Sequence, residues 1–262
     1  MSYSNPIPAD GFVCYDGWLP ELDQHGDPVG GYRPDGGRAC ELLLDHIRRA
    51  QSALMDAALH GGAASSSSPG PGPGELPIRL VSFSHGTVAL NQVFAEMGGK
   101  DLGRGTAARH VLERTESLVW LDPGLAQEPG AGILLGDRAL LRAGARRLRE
   151  RDAQGGAGLR GAPQVAVALT PYQLQRPASW LRGWRLAWGW PPIMRESAAS
   201  AARRRFLRAL RNEGFGATSV DDAAAVAPSR VLHSEDCLVD REPSLESHFA
   251  VLAAFTAPWD IV

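Results

Sequence analysis

The sequence predicts an α/β protein, a mainly parallel sheet flanked by helices. Short apolar runs rich in Val, Leu and Ile alternate with longer segments whose apolar residues recur at helical spacing. The runs are close to continuously apolar, as strands buried on both faces are. Hydrophobic residues make up 44% of the 262 positions, enough to build a core around such a sheet.

The elements follow in order. Residues 1–38 are rich in Gly, Pro and Asp and read as irregular, with Phe12, Val13, Cys14 and Tyr15 as the one apolar patch. A helix is expected over 38–60, with Leu42, Leu43, Leu44, Ile47, Leu54 and Leu59 on its apolar side and Asp45, Arg48 and Arg49 in water. Residues 1–60 thus form the N-terminal segment and first helix of a single domain. Residues 61–76 open on the low-complexity stretch GGAASSSSPGPGPG, which cannot bury enough apolar surface to order itself. We read it as a disordered insertion within that domain, because neither flank looks complete alone. Residues 77–262 carry the rest: a strand at 78–83, a helix at 87–97, a strand at 117–121, a helix at 137–151 and a strand at 164–169. A segment with Trp180, Trp184, Trp188 and Trp190 follows, read as core or as the lining of an apolar pocket. A basic helix at 196–212 ends at Gly214-Phe215-Gly216. A fourth strand is expected at 217–220, continued or paired by Val231-Leu232, and a last helix at 244–255.

Composition excludes several roles. The net charge of −2 gives no global basic footprint for nucleic acid. The three cysteines are widely spaced, with no C-x-x-C pair, so neither a zinc site nor a disulfide framework is implied. No G-x-G-x-x-G or P-loop follows a strand, which sets aside a nucleotide-binding domain, and neither cofactor nor metal is expected. No apolar run reaches membrane-spanning length, and residues 1–10 resemble neither a signal nor a transit peptide, so we expect a soluble intracellular protein.

In open α/β sheets, ligands bind at the carboxyl ends of the strands. Ser82-Phe83-Ser84-His85-Gly86 occupies a strand-to-helix junction, the context of a nucleophile elbow. There Ser84 is a candidate nucleophile, and the backbone N–H of His85 a candidate oxyanion donor. The competing reading of Ser84 is a helix N-cap. A serine nucleophile needs a base and an orienting carboxylate. Asp122 follows the next strand and is the candidate acid; its competing role is turn former. The strand end at Thr170-Pro171-Tyr172-Gln173 carries no carboxylate, and Asp236 and Asp240 are weaker candidates. His248 lies near the start of the last helix and is the candidate base, with His233, placed after Val231-Leu232, as the alternative. Ser, Asp, His is the chain order of α/β-hydrolases.

These residues also carry a resemblance. Phe83-Ser84-His85-Gly86, Leu90-Asn91-Gln92, Trp120-Leu121-Asp122-x-Gly124, Thr170-Pro171-Tyr172-Gln173 and Pro243-Ser244-x-Glu246-x-His248-Phe249 occur in that order. Together they resemble a eukaryotic family whose human member is known as open reading frame sixty-nine of chromosome two. The resemblance covers about residues 77–256, with a thinner match at Cys14-Tyr15-Asp16. It implies a partial α/β-hydrolase-like fold, a serine-esterase-type site acting on a small-molecule or acyl substrate, and a mitochondrial association. By position, Ser84 matches the nucleophile, Asp122 the acid and His248 the base, while His233 also falls on a family His. This chain has Ser82 where the family usually has Gly, and His85 where it usually has Lys. The family's early strands have no counterpart here. About four strands and an open apolar sheet edge are therefore expected, along with an alternative role as an inactive hydrolase-like protein that binds a metabolic protein partner.

Overall fold

A computed structural model of the chain describes residues 17–19, 21, 28–35, 37–60, 76–100, 102–103, 105–123, 137–153, 163–174, 198–217, 231–236 and 245–254. The Trp180 to Trp190 segment, residues 61–75, Cys14, Cys237 and Asp240 lie outside them.

The class is α/β. In chain order the elements are α1 (Ala39–His60), β1 (Ile78–Phe83), α2 (Thr87–Met97), α3 (Ala107–Arg114), β2 (Thr115–Leu121), α4 (Arg138–Ala153), β3 (Gln164–Leu169), a one-turn α5 (Pro171–Leu174), α6 (Ala198–Asn212), β4 (Gly216–Ala217), β5 (Val231–Asp236) and α7 (Leu245–Ala254). The five strands form one sheet in the order β1-β2-β3-β5-β4, parallel throughout. The register runs Phe83 to Leu121, Leu121 to Ala168 and Ala168 to Glu235, so the strand ends lie in a nearly level row.

β2 and β3 are covered on both faces, which is why they are apolar at successive positions. One face carries Ile78, Leu118, Trp120, Val165 and Val167 against Val93, Phe94, Met97, Leu141, Leu148, Phe206 and Leu210 of α2, α4 and α6. The other carries Val119, Leu121, Ala166 and Ala168, with Phe83 alongside and Val251 of α7 over them. Trp120 anchors the first face, with ring centroids 5.0 Å from Phe206 and 6.0 Å from Phe94. Close approach of α2 and α4 depends on Gly144, where a Cβ would overlap the Phe94 ring.

Helix α2 is buried along its whole length, yet it contains Asn91, Gln92 and Glu96. Each has partners, as buried polar groups require. Trp120 Nε1 donates to Asn91 Oδ1 at 2.9 Å, and Asn91 Nδ2 donates to the Tyr32 hydroxyl at 3.0 Å. Gln92 bonds the Arg33 backbone in both directions, at 3.1 and 2.7 Å. Glu96 accepts the N–H groups of Ala39 and Cys40, each at 2.9 Å, and the Gln92 amide at 2.9 Å. A buried carboxylate thus caps the N-terminus of α1 from another helix, where the helix dipole favours negative charge. Gly37 makes room for it, since a Cβ there would overlap the Glu96 carboxylate and the Gln92 amide. Cys40 is buried beside this group, and burial, reinforced by Glu96, pushes its thiol pKa up.

Several expectations need correction. Helix α3 is absent from the sequence reading. Its apolar content is only Ala107, Ala108, Val111 and Leu112, too sparse to signal a helix, and Thr106 caps it through a bond from Arg109 N. Leu54 is 70% exposed and Met55 58% exposed, because the second half of α1 runs past the core that Leu44 enters. Of the two expectations for Val231-Leu232, pairing is the one observed: they begin the six-residue β5, which pairs with β4 in parallel. The sheet therefore has five strands rather than about four. Among the described strands β1 is an end strand, and its Val81 is 60% exposed.

Arginines dominate the outer surfaces of α4 and α6. Arg138, Arg142 and Arg146 recur every fourth residue along α4 and are exposed, as are Arg204, Arg205, Arg208 and Arg211 on α6. The Arg149 to Glu213 ion pair, at 3.6 Å, ties α4 to the end of α6. Among the described residues no helix is long and apolar enough to cross a membrane.

Candidate active site at the strand ends

Ser84 is the first residue after β1, Asp122 the first after β2 and Thr170 the first after β3. The register places Phe83 beside Leu121 and Leu121 beside Ala168, so these three residues emerge together at the carboxyl edge of neighbouring strands.

Among the described residues, Ser84 (φ 52°) and Asp122 (φ 39°) are the non-glycine residues with positive φ. A side chain in this region crowds its own carbonyl, at a cost of about 1–2 kcal/mol. Such strain persists where the surroundings over-determine it, and it concentrates at functional sites. Here it falls on two adjacent strand ends, at the two positions the sequence selects.

The path through Ser84 is an elbow. Phe83 is extended (φ −129°, ψ 138°), Ser84 turns left-handed, and a single 3-10 turn over Ser84–Gly86 leads into α2. Thr87 Oγ1 donates to the Ser84 carbonyl at 2.6 Å and ties off the turn. Gly86 has ordinary helical angles (φ −58°, ψ −15°). The competing N-cap reading of Ser84 does not fit this geometry. Gly86 holds the cap position of α2 and Phe83 that of the 3-10 turn, and neither makes a side-chain cap bond. Ser82, which stands where the resemblance calls for Gly, is buried and donates from its hydroxyl to the Val119 carbonyl at 3.2 Å, so the neighbouring strand absorbs its side chain. Ser84 and His85 are themselves half-buried.

Asp122 is wholly buried. Its backbone N–H reaches the Ala168 carbonyl at 2.8 Å, extending the ladder one residue past β2. Its carboxylate bridges to the end of β3. Thr170 N donates to Oδ1 at 2.8 Å, and Thr170 Oγ1 donates to Oδ2 at 2.5 Å. Both carboxylate oxygens are thus engaged by one residue.

His248 is the fourth residue of α7. The next residue, Phe249, lies 5.6 Å in ring centroid from Phe83, which immediately precedes Ser84. α7 thus meets the end of β1 through Phe249 and Phe83. His233 is placed otherwise than expected. It lies inside β5, in register with Ala166, three residues before the strand's end at Asp236. The residues after Leu232, His, Ser, Glu and Asp, are a polar run atypical of a buried strand and carry no strand signal in the sequence. Asp236 ends β5 in register with Leu169, near the level of Asp122. Among the described residues no group of three or more His, Cys, Asp or Glu could hold a metal ion.

Sequence reasoning gave Thr170 no role, because it sought a carboxylate at that strand end. The available signal was a Thr immediately before a proline at the strand end, where its hydroxyl sits beside the preceding strand's terminal Asp. Comparison of the chain with family models, with curated proteins and with solved structures finds no match.

Proposed function

We propose that the protein is a serine hydrolase with a partial α/β-hydrolase-like fold, cleaving an ester, thioester or amide through Ser84, His248 and Asp122. The observation that carries this reading is the pair of left-handed residues at adjacent strand ends, Ser84 on a strand-to-helix elbow and Asp122 buried beside it. In the proposed cycle, His248 takes the Ser84 hydroxyl proton as Oγ attacks the acyl carbon. Asp122 holds the imidazole and offsets its charge, and the His85 N–H helps to bind the oxyanion. Collapse expels the leaving group with the proton from His248, and water then releases the acyl group by the same steps.

The test is reaction of the purified chain with a fluorophosphonate probe, beside Ser84→Ala and a heat-denatured control. Labelling confined to the folded wild type is the expected result. A folded wild type that stays unlabelled overturns the proposal. That result would favour a second reading, a hydrolase-like scaffold that binds a protein partner without turnover. Its support is the engagement of both Asp122 oxygens by Thr170, an arrangement that clamps β2 to β3 whatever the histidine does.

A further inference from the structure

We infer that Thr170 is a positioning residue that sets the Asp122 carboxylate for its work on the catalytic base. The inference rests on the serine-hydrolase reading and adds a residue to it. Three observations carry it. Thr170 meets both oxygens of the carboxylate, with its N–H on Oδ1 at 2.8 Å and its hydroxyl on Oδ2 at 2.5 Å. Both residues are wholly buried, so no solvent competes for these bonds. Asp122 also has a strained backbone at φ 39°, and a residue in that conformation stays put only when its neighbours hold it.

A two-point hold fixes the plane of the carboxylate as well as its position. The N–H is delivered by the backbone of β3, whose register against β2 is set by the ladder from Ser117–Gln164 to Leu121–Ala168. The hydroxyl supplies the second point and fixes rotation about the side-chain bond. The carboxylate is then presented in a fixed orientation. A histidine oriented by such an acceptor keeps one tautomer, with its other nitrogen left for the serine proton. Removing the hydroxyl leaves the N–H bond and frees the rotation. A misplacement of about 1 Å in such a constellation can cost about a hundredfold in rate.

The experiment measures the kinetics of fluorophosphonate labelling for wild type, Thr170→Val, Thr170→Ser, Asp122→Asn and the double variant Asp122→Asn/Thr170→Val. Thermal unfolding of each variant is followed alongside. Thr170→Val is expected to lower the maximal labelling rate by about ten- to a hundredfold with little change in the concentration giving half that rate. Thr170→Ser, which keeps the hydroxyl, is expected to restore it. The double variant is expected to label no more slowly than Asp122→Asn alone, because a residue that acts through Asp122 has nothing left to position. The inference is overturned if Thr170→Val labels like wild type, or if the two substitutions multiply, or if Thr170→Ser is as slow as Thr170→Val. If Thr170→Val does not fold, Thr170→Ala, which also removes the hydroxyl, and its double with Asp122→Asn decide by the same comparison. Absence of labelling in folded wild type instead removes the hydrolase reading and this role with it.

Discussion

At the scale of single residues, the elbow is a place where stability and the proposed chemistry oppose each other. Ser84 pays a conformational penalty at φ 52° that glycine would not. Ser84→Gly is therefore expected to raise the unfolding free energy by up to about 1 kcal/mol, seen as a later midpoint in urea, while abolishing fluorophosphonate labelling. Ser84→Ala should abolish labelling without that gain. If glycine destabilises the chain, the left-handed turn is not the strained feature described above. Much of this site was legible in the sequence. A serine between an apolar strand and an apolar-periodic helix, followed two residues later by glycine, points to a sharp turn, and an Asp after the next strand falls beside it by topology. Which of Asp122's neighbours would hold it was not legible, because the Thr170 contact spans 48 residues and arises only when β3 pairs with β2.

At the scale of elements, boundaries were best foreseen where an apolar run carried the information. β1 and β3 occupy their expected residues, being largely apolar runs, and α2 likewise, with apolar residues at helical spacing. The second half of β5 is polar and gives no strand signal beyond Val231-Leu232, and α3 gives no helical signal because the core touches it at only a few positions. The same limit applies to the junction of α1 and α2. Nothing in the local sequence of α1 announces its cap, since that cap is Glu96, more than 50 residues away. Glu96→Ala would leave two helix N–H groups buried without an acceptor, at an expected cost of about 2–4 kcal/mol in chemical denaturation. Glu96→Gln keeps one acceptor oxygen and should cost less. Gly37→Ala should cost a comparable amount by displacing the carboxylate that its Cβ would overlap. A native-like urea midpoint in both Glu96→Ala and Gly37→Ala would mean that α1 is held by its apolar face alone.

At the scale of the whole molecule, the parallel sheet accounts for the site's location, because every strand end needed for it points the same way. The sequence made this legible through its alternation of strands and helices, while the position of β1 at one end of the order needed the pairing itself. The charges are distributed with comparable asymmetry. Helices α4 and α6 hold eleven arginines against Glu150 and Asp152, a local charge of +9, so the rest of the chain carries −11 to reach the total of −2. Packed helices lie about 8–10 Å apart, near the screening length at about 0.1 M salt, so the two stripes act on a distant surface as one. The expected outcome is retention on both sulfonate and quaternary-amine resins at pH 7 and low salt. The fourfold substitution of Arg142, Arg146, Arg205 and Arg208 by Glu should abolish retention on the sulfonate resin alone, and equal elution of variant and wild type from that resin would overturn the picture. The isoelectric point of about 6.4 thus averages a local excess of positive charge on α4 and α6 with a net negative remainder of the sequence. Near a charged wall the molecule should behave as a compass needle, turning one flank toward the wall before any contact is made.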